Sequence, residues 1–443
     1  MNTTLSGSES ILKKNDEVVD LKEKEVTTTD HATKAHQNAM EILNNGNPIE
    51  YLMNEYGKIH VGDKDLGELL LMTVGCQLCS NTEGLQPDLS GESGKGKSDA
   101  CKAMGHLMPQ EYFITGSHST LGLFHRDDVL EGAIVFLDDV EKFGDKEEQL
   151  IKTITSQYQL PFEHTYTNMG KRGAKKADTI FLPPRATFWI TSVGSSFDPQ
   201  ILNRYLKMQV DEGAAQDSAV YKKQQEYAKS GISRYAITPE VEISREMIRQ
   251  LKGLDLCNVI IPYIDLIDWK DMNNRRNYPM FLDVIRASAA INRYRRQPLG
   301  YGSIVADLSD YDRAARLWSG VERAQTTGIT NKEQFVLSAI IAGGSAGLSQ
   351  SEIAAKCSID KGTVSRAIHG IKQGNGTYKG GLMNKLKGGL SYNEFTKTYT
   401  FVGLATGEEN VVSLPNRQEA QVMIDSCTRL HTVATHMQPF LQM

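Results

Sequence analysis

Eight residues constrain this chain more than any others. Gly91-Glu92-Ser93-Gly94-Lys95-Gly96-Lys97-Ser98 match the pattern G-x-x-x-x-G-K-[ST], inside a strand-loop-helix signature at 87–106. Glycines let a backbone curl around phosphates and aim its N–H groups at them. Lys97 is placed to reach the β- and γ-phosphates of ATP, and the Ser98 hydroxyl to ligate Mg²⁺. The helix that opens after Ser98 adds its positive end to the phosphate charge.

The context agrees with the loop. Short apolar segments at 112–114, 132–137, 186–190 and 208–210 alternate with helical stretches. Strands apolar on both faces and interleaved with helices predict a parallel sheet covered on both sides. Asp138 and Asp139 follow the apolar run 133–137. One carboxylate there can hold Mg²⁺, the part assigned to Asp138, and a second can orient the attacking water. Asp139 is one methylene shorter than the glutamate usual in that second role, so Glu141 stands beside it as the alternative.

Four segments are expected along the 443 residues. Residues 1–37, with few large apolar groups, read as a flexible arm. Residues 38–330 form the ATPase core, helical from about 213, with Ile285, Ala289 and Ile291 on an apolar stripe. Residues 331–402 form a smaller domain, and 403–443 a tail without a clear pattern. No run of about 18 apolar residues occurs, which excludes a membrane-spanning helix. The polar N-terminus lacks a signal core, and six scattered cysteines suit a reducing cytosol. Cys76-x-x-Cys79 is half of a tetrahedral zinc site and reads as two buried thiols.

Two elements are basic. Residues 165–181 alternate Thr and Tyr, pass through a glycine-containing tip and end in Thr-Ile-Phe, a β-hairpin pattern. Its tip carries Lys171, Arg172, Lys175 and Lys176. In 331–402, Ser349 and Glu352 form a capping box, and 361–368 reads as a recognition helix with Lys361 and Arg366 on it. A wing follows at 385–401. This segment holds nine basic and four acidic residues, net +5, within a chain of net charge −5. The distribution of charge, not its sum, therefore carries the signal for a nucleic-acid partner.

These residues resemble an AAA+ ATPase, and more closely the MCM-like replicative DNA helicases of plasmids, viruses and other mobile elements. Residues 137–143 sit where that family has its acidic pair, followed by an acid and a lysine. Residues 199–205 are similar to its leucine–x–arginine–aromatic segment, which makes Arg204 an arginine finger. Arg275 and Arg276, ahead of 281–295, resemble the lid with its sensor-2 arginine. Thr191 and Ser192 stand where the family has a sensor-1 asparagine, and no zinc-binding N-terminal collar is evident.

The resemblance implies an α/β fold: an AAA+ P-loop parallel sheet with helices on both faces and a helical lid, followed by a C-terminal winged helix-turn-helix. It implies a cytoplasmic homo-hexamer that hydrolyses ATP with Mg²⁺ at subunit interfaces and moves along one DNA strand in the pore. The hairpin at 165–181 takes the place of the family's pore hairpin, which grips the DNA backbone. The alternative is an AAA+ initiator, transposition or regulatory ATPase that binds DNA without unwinding it.

Overall fold

A computed structural model describes residues 32–90, 94–115, 128–140, 143–169, 175–192, 204–211, 214–270, 275–322, 331–372, 376, 378–386, 389–402 and 412–437. Its centre is a parallel sheet. The strands are β1 (Pro87–Ser90), β2 (Phe113–Thr115), β3 (Ile134–Leu137), a separate hairpin β4 (Phe162–Met169) and β5 (Lys175–Leu182), then β6 (Thr187–Ser192) and β7 (Leu206–Gln209). The sheet order is β2-β3-β6-β1-β7, with every neighbouring pair parallel.

The double-sided apolar pattern of β3 and β6 has a direct cause. Ile134, Phe136 and Trp189 point into one core, while Val135, Leu137, Phe188 and Ile190 point into another. The first core holds helices α1 (residues 32–45), α2 (Pro48–Ile59), α3 (Lys64–Cys76) and α4 (Lys97–His106). The second takes Leu150, Ile151 and Ile154 from α5 (Asp145–Ser156). Each strand residue thus loses its apolar surface to one of two layers.

Beyond β7 the chain is helical: α6 (Ala214–Ser230), α7 (Pro239–Lys252), α8 (Asn277–Ile291) and α9 (Leu308–Glu322), with short strands β8 (Asn258–Ile260), β9 (Asp268–Trp269) and β10 (Ser303–Val305) between them. Helices α2 and α7 each begin on an N-cap followed by proline, Asn47-Pro48 and Thr238-Pro239. Helix α3 is buried along its length, and Gly75 lets it lie against α8, since an added methyl there would sit 2.7 Å from the Ala287 carbonyl.

A separate core organises 331–402. It contains α10 (Asn331–Ala342), β11 (Leu348–Ser349), α11 (Gln350–Cys357), α12 (Lys361–His369), a hairpin of β12 (Ile371–Lys372) and β13 (Tyr378–Lys379), α13 (Leu382–Lys385), β14 (Leu390–Asn393) and β15 (Thr398–Phe401). Strands β11, β15 and β14 form an antiparallel sheet. The capping box at α11 forms: Glu352 accepts from the Ser349 N–H at 2.8 Å, and Ser349 accepts from the Glu352 N–H at 3.3 Å.

One segment boundary shifts, and one segment gains a defined place. The arm assigned to 1–37 gives way to α1 at residue 32, because Ala35, Ala39 and Leu43 recur every four residues and pack into the main core. The tail at 403–443 is not a bystander. Strand β16 (Val412–Ser413) pairs with β9, and α14 (Arg417–Met437) lays Ala420 and Ile424 into the main core. The four-residue spacing of Ala420 and Ile424 is a one-face helical signal too short to stand out in sequence.

Candidate nucleotide-binding site

Strand β1 ends at Ser90, and α4 starts seven residues later. Gly91, Glu92 and Ser93 lie outside the described residues. Gly94 and Gly96 take φ of 78° and 97°, a region L side chains avoid, so the turn needs glycine at both positions. Gly96 is the N-cap of α4, and no side chain caps that helix. The positive end of the helix dipole therefore faces the loop, a place that favours an anion. Lys97 and Ser98 open the helix, with Lys97 buried at its base.

Asp138, just past β3, gathers this site. Its Oδ1 accepts from the Ser98 hydroxyl and, at 2.9 Å, from Thr191 at the end of β6. Its Oδ2 lies 2.8 Å from the Lys102 ammonium, one helical turn beyond Ser98 on α4. Burial works against the charge of Asp138, but the hydrogen bonds from Lys102, Ser98 and Thr191 outweigh it and hold the carboxyl below its usual range. Asp139 has φ +55°, and its N–H donates to the Thr191 hydroxyl at 2.8 Å. A left-handed non-glycine residue costs on the order of 1–3 kcal/mol and persists where the surroundings hold it. A hydroxyl and a carboxylate side by side suit a hard divalent cation such as Mg²⁺, so Ser98 and Asp138 fit that ion.

A cleft of about 520 Å³ continues from the loop, lined by Gly94, Lys95, Gly96, Val61, Tyr227 and Ile232 among others. Its wall carries an ion cluster around the buried His60. His60 Nε2 lies 3.0 Å from Asp63 and Nδ1 2.9 Å from Asp99 of α4. Asp99 also meets Arg234 at 2.6 Å and the Tyr235 hydroxyl at 3.1 Å. Helix α6 closes the mouth: Lys95 pairs with Asp217 at 2.7 Å, Gln216 donates to the Val61 carbonyl, and Tyr227 donates to the Lys58 carbonyl.

Other predicted residues lie elsewhere. Ser192 donates to Asp88 of β1 at 3.2 Å and is turned away from Asp138. Burial pushes the Asp88 carboxyl up to about 6, against the pull of Ser192 and Lys207. Arg204 donates to the Lys152 carbonyl at 2.7 Å and to Ser156, at the C-terminal end of α5. Leu206 is in register with Pro87, the first residue of β1. Arg204 therefore stands at the edge where β1 begins, roughly a strand length of 13 Å from the loop at the other end. Burial lowers the Arg204 pKa, and the nearby charge of Arg276 acts in the same direction. Arg275 and Arg276 form the exposed turn ahead of α8. Lys175 and Lys176 are paired with Met169 and Asn168 in the hairpin. Lys361 and Arg366 are exposed on α12. Glu141, Lys171 and Arg172 lie outside the described residues.

Residues 32–253, half of the chain, match the family model described as the MTBMA_p00010 P-loop domain. The chain belongs to this P-loop domain family. Its region of match runs from α1 to the end of α7. It contains Lys97, Ser98, Asp138, Thr191, Arg204 and the β4–β5 hairpin, and stops before α8. The chain is also similar to a protein of Methanothermobacter marburgensis carried as uncharacterized protein MTBMA_p00010, with 23% identity over 326 residues. That match takes in 70% of this chain, which spans about 40% of the relative's length. Family and fold together make this a P-loop NTPase domain.

Sequence reading missed Lys102, His60, Asp99, Arg234 and Tyr235. Lys102 had a signal, because four residues past Ser98 places it on the same face of α4. His60 had none, being 39 residues from Asp99. The thiols of Cys76 and Cys79 are buried, as expected, and donate to backbone carbonyls. Among the described residues no His, Cys, Asp and Glu group could hold a metal ion by itself, and no helix is long and apolar enough to cross a membrane.

Proposed function

We propose that the chain is an ATP-driven DNA helicase that assembles as a homo-hexameric ring and hydrolyses ATP between subunits. The observation that carries this reading is the separation of charges. Arg204 lies at the edge where β1 begins, while Lys97, Ser98 and Asp138 lie at the opposite edge. Arg204 is held there by the Lys152 carbonyl and Ser156, about a strand length from its own P-loop. In a ring, the two edges of neighbouring subunits meet, and Arg204 completes the next subunit's site.

Within that site the chain's own groups divide the work. The N–H groups at the start of α4 and the Lys97 ammonium hold the β- and γ-phosphates. Mg²⁺, held by Ser98 and Asp138, neutralises charge on the phosphate oxygens when it is bound. Water attacks the γ-phosphorus and the bond to the bridging oxygen of ADP breaks. Asp139 or Glu141 orients that water, and Thr191 fixes Asp139 relative to Asp138. Arg204 of the neighbouring subunit stabilises the charge that develops in transfer.

Two elements support DNA as the track. The β4–β5 hairpin is inserted in the chain between β3, which leads into Asp138, and β6, which carries Thr191, the place a pore hairpin takes in the family it resembles. The antiparallel sheet β11-β15-β14 beside α12, with Lys361 and Arg366 exposed on that helix, supports reading the 331–402 unit as a DNA-contacting module. Strand displacement on forked DNA, with Lys97→Ala as the control, tests the reading. Displacement that requires ATP and Lys97 supports it, whereas ATP hydrolysis without displacement favours a DNA-bound AAA+ switch. The double variant Lys171→Ala/Arg172→Ala should lose DNA stimulation of ATPase and flatten its salt dependence.

A further inference from the structure

A row of rings crosses the 331–402 unit. The centroid of Tyr378 on β13 lies 6.0 Å from that of His369 at the end of α12, His369 lies 5.7 Å from Tyr399 on β15, and Tyr399 lies 4.7 Å from Tyr392 on β14. The inner members are fixed. The Tyr399 hydroxyl is 2.8 Å from His369 Nε2 and accepts from Gln350 at 3.0 Å. The outer members are open, with Tyr378 50% and Tyr392 37% exposed. Past Tyr392, the β14–β15 turn lifts Phe395 into solvent at 98% exposure. That turn is ordered by Asn393, whose side chain accepts from the N–H groups of Phe395 and Thr396 at 2.9 and 3.2 Å.

Two exposed cations border the row. Lys372 stands opposite Tyr378 in the β12–β13 hairpin, and Lys397 follows Phe395 by two residues, exposed. Of the four acids in the unit, three are already engaged: Glu333 with Lys385, Glu352 in the α11 cap and Asp360 in the α12 cap. Only Glu394 faces solvent beside the row without such a role among the described contacts.

We propose that this face binds single-stranded nucleic acid. Phe395, Tyr392 and Tyr378 stack on unpaired bases, while Lys372 and Lys397 follow the phosphates. Alternating rings and cations are how sequence-tolerant single-strand sites are built, since every base has a π-face. A ring as exposed as Phe395 needs a base whose face is free, and bases inside a duplex cover one another. A protein partner would call for a continuous apolar groove, whereas these rings form a ridge flanked by the exposed Lys372 and Lys397. The inference rests on the nucleic-acid part of the function proposed above and goes beyond it. Duplex contact through Lys361 and Arg366 requires no free base.

The test uses the full chain carrying Lys171→Ala/Arg172→Ala, so that the β4–β5 hairpin does not mask the ridge. Fluorescence anisotropy compares labelled oligodeoxythymidylate with a duplex closed by hairpins at both ends. The single strand should bind more tightly. Phe395→Ala should weaken single-strand binding by roughly tenfold, and Phe395→Trp should restore it. Fluorescence of 2-aminopurine in the oligonucleotide should fall on binding and fail to fall with Phe395→Ala. Equal single-strand affinity for Phe395→Ala overturns the stacking inference. If Lys361→Ala/Arg366→Ala then abolishes duplex binding, the DNA-module reading survives that failure. A parent chain that binds neither DNA removes both.

Discussion

Asp99 lies 2.9 Å from Nδ1 of the buried His60, tying the loop ahead of α3 to the first turn of α4. The other ring nitrogen lies 3.0 Å from Asp63, so both nitrogens face carboxylates and both act as donors. The wall of the nucleotide cleft is therefore built on a charged imidazolium.

Stability should follow that charge. Burial opposes protonation of His60, but the hydrogen bonds and charges of Asp63 and Asp99 outweigh it and push its pKa from 6.5 up to about 9. Arg234 and the Tyr235 hydroxyl face the same cluster through Asp99. A raised folded-state pKa gives stability that is complete below the unfolded value and lost as pH rises through the folded one. Denaturant unfolding should therefore show a decline of stability from about pH 6.5 to about pH 9, on the order of 3 kcal/mol in total. Asp99, whose pKa is lowered, acts in the opposite direction and loses its contribution as pH falls below 3.8. His60→Gln should lower stability at pH 6 and abolish the alkaline decline. An unchanged slope in that variant would show that His60 is not the charged centre.

Asp138 holds Ser98, Thr191 and Lys102 at once, so its removal should act on the metal before the nucleotide. Asp138→Asn should still bind a fluorescent ADP analogue, but Mg²⁺ should no longer tighten that binding. Lys97→Ala should weaken the analogue itself and reduce ATP hydrolysis by about 10²-fold or more. Titrations with and without Mg²⁺ distinguish the two variants.

Arg204 is expected to act across a subunit boundary. Arg204→Ala should bind ATP normally and lose hydrolysis by a factor on the order of 10³–10⁵. If Lys97 and Arg204 act in different subunits of one site, as proposed, mixing Arg204→Ala with Lys97→Ala should restore part of the activity. Mixed rings with no more turnover than either variant alone would argue for two roles in one subunit.

The C-terminal helix offers a contrast between charge and burial. Arg417 makes a two-pronged ion pair with Asp312, at 2.6 and 2.8 Å, on the exposed surface. Such pairs contribute about 0–1 kcal/mol, so Arg417→Ala should scarcely shift thermal unfolding. Ile424 is buried in the main core, and Ile424→Ala should cost about 2–4 kcal/mol. Calorimetry on the two variants should rank them in that order.

The local chemistry of the nucleotide site was legible in the chain itself. The spacing of Gly94, Gly96, Lys97 and Ser98, the acidic pair Asp138–Asp139 after an apolar run, and the doubly apolar strands all follow rules that act over a few residues. They specify a loop, a helix start and a sheet covered on both faces, wherever the rest of the molecule goes. The capping box at Ser349 and Glu352 belongs to the same class. The start of α1 and the return of α14 did not stand out, because only packing against the main core distinguishes their alanine-rich stripes from an ordinary polar segment.

Tertiary structure decided which groups share a site. The strand order β2-β3-β6-β1-β7 brings Thr191 and Asp138 together, separates Ser192 onto Asp88, and puts Arg204 at the far edge of the sheet. His60 and Asp99 meet only because α2, the loop after it and α4 pack on one core. Hydrogen bonds and ion pairs act over about three ångströms and are indifferent to sequence distance, so neither their partners nor the charge they impose on His60 can be read from the order of residues alone.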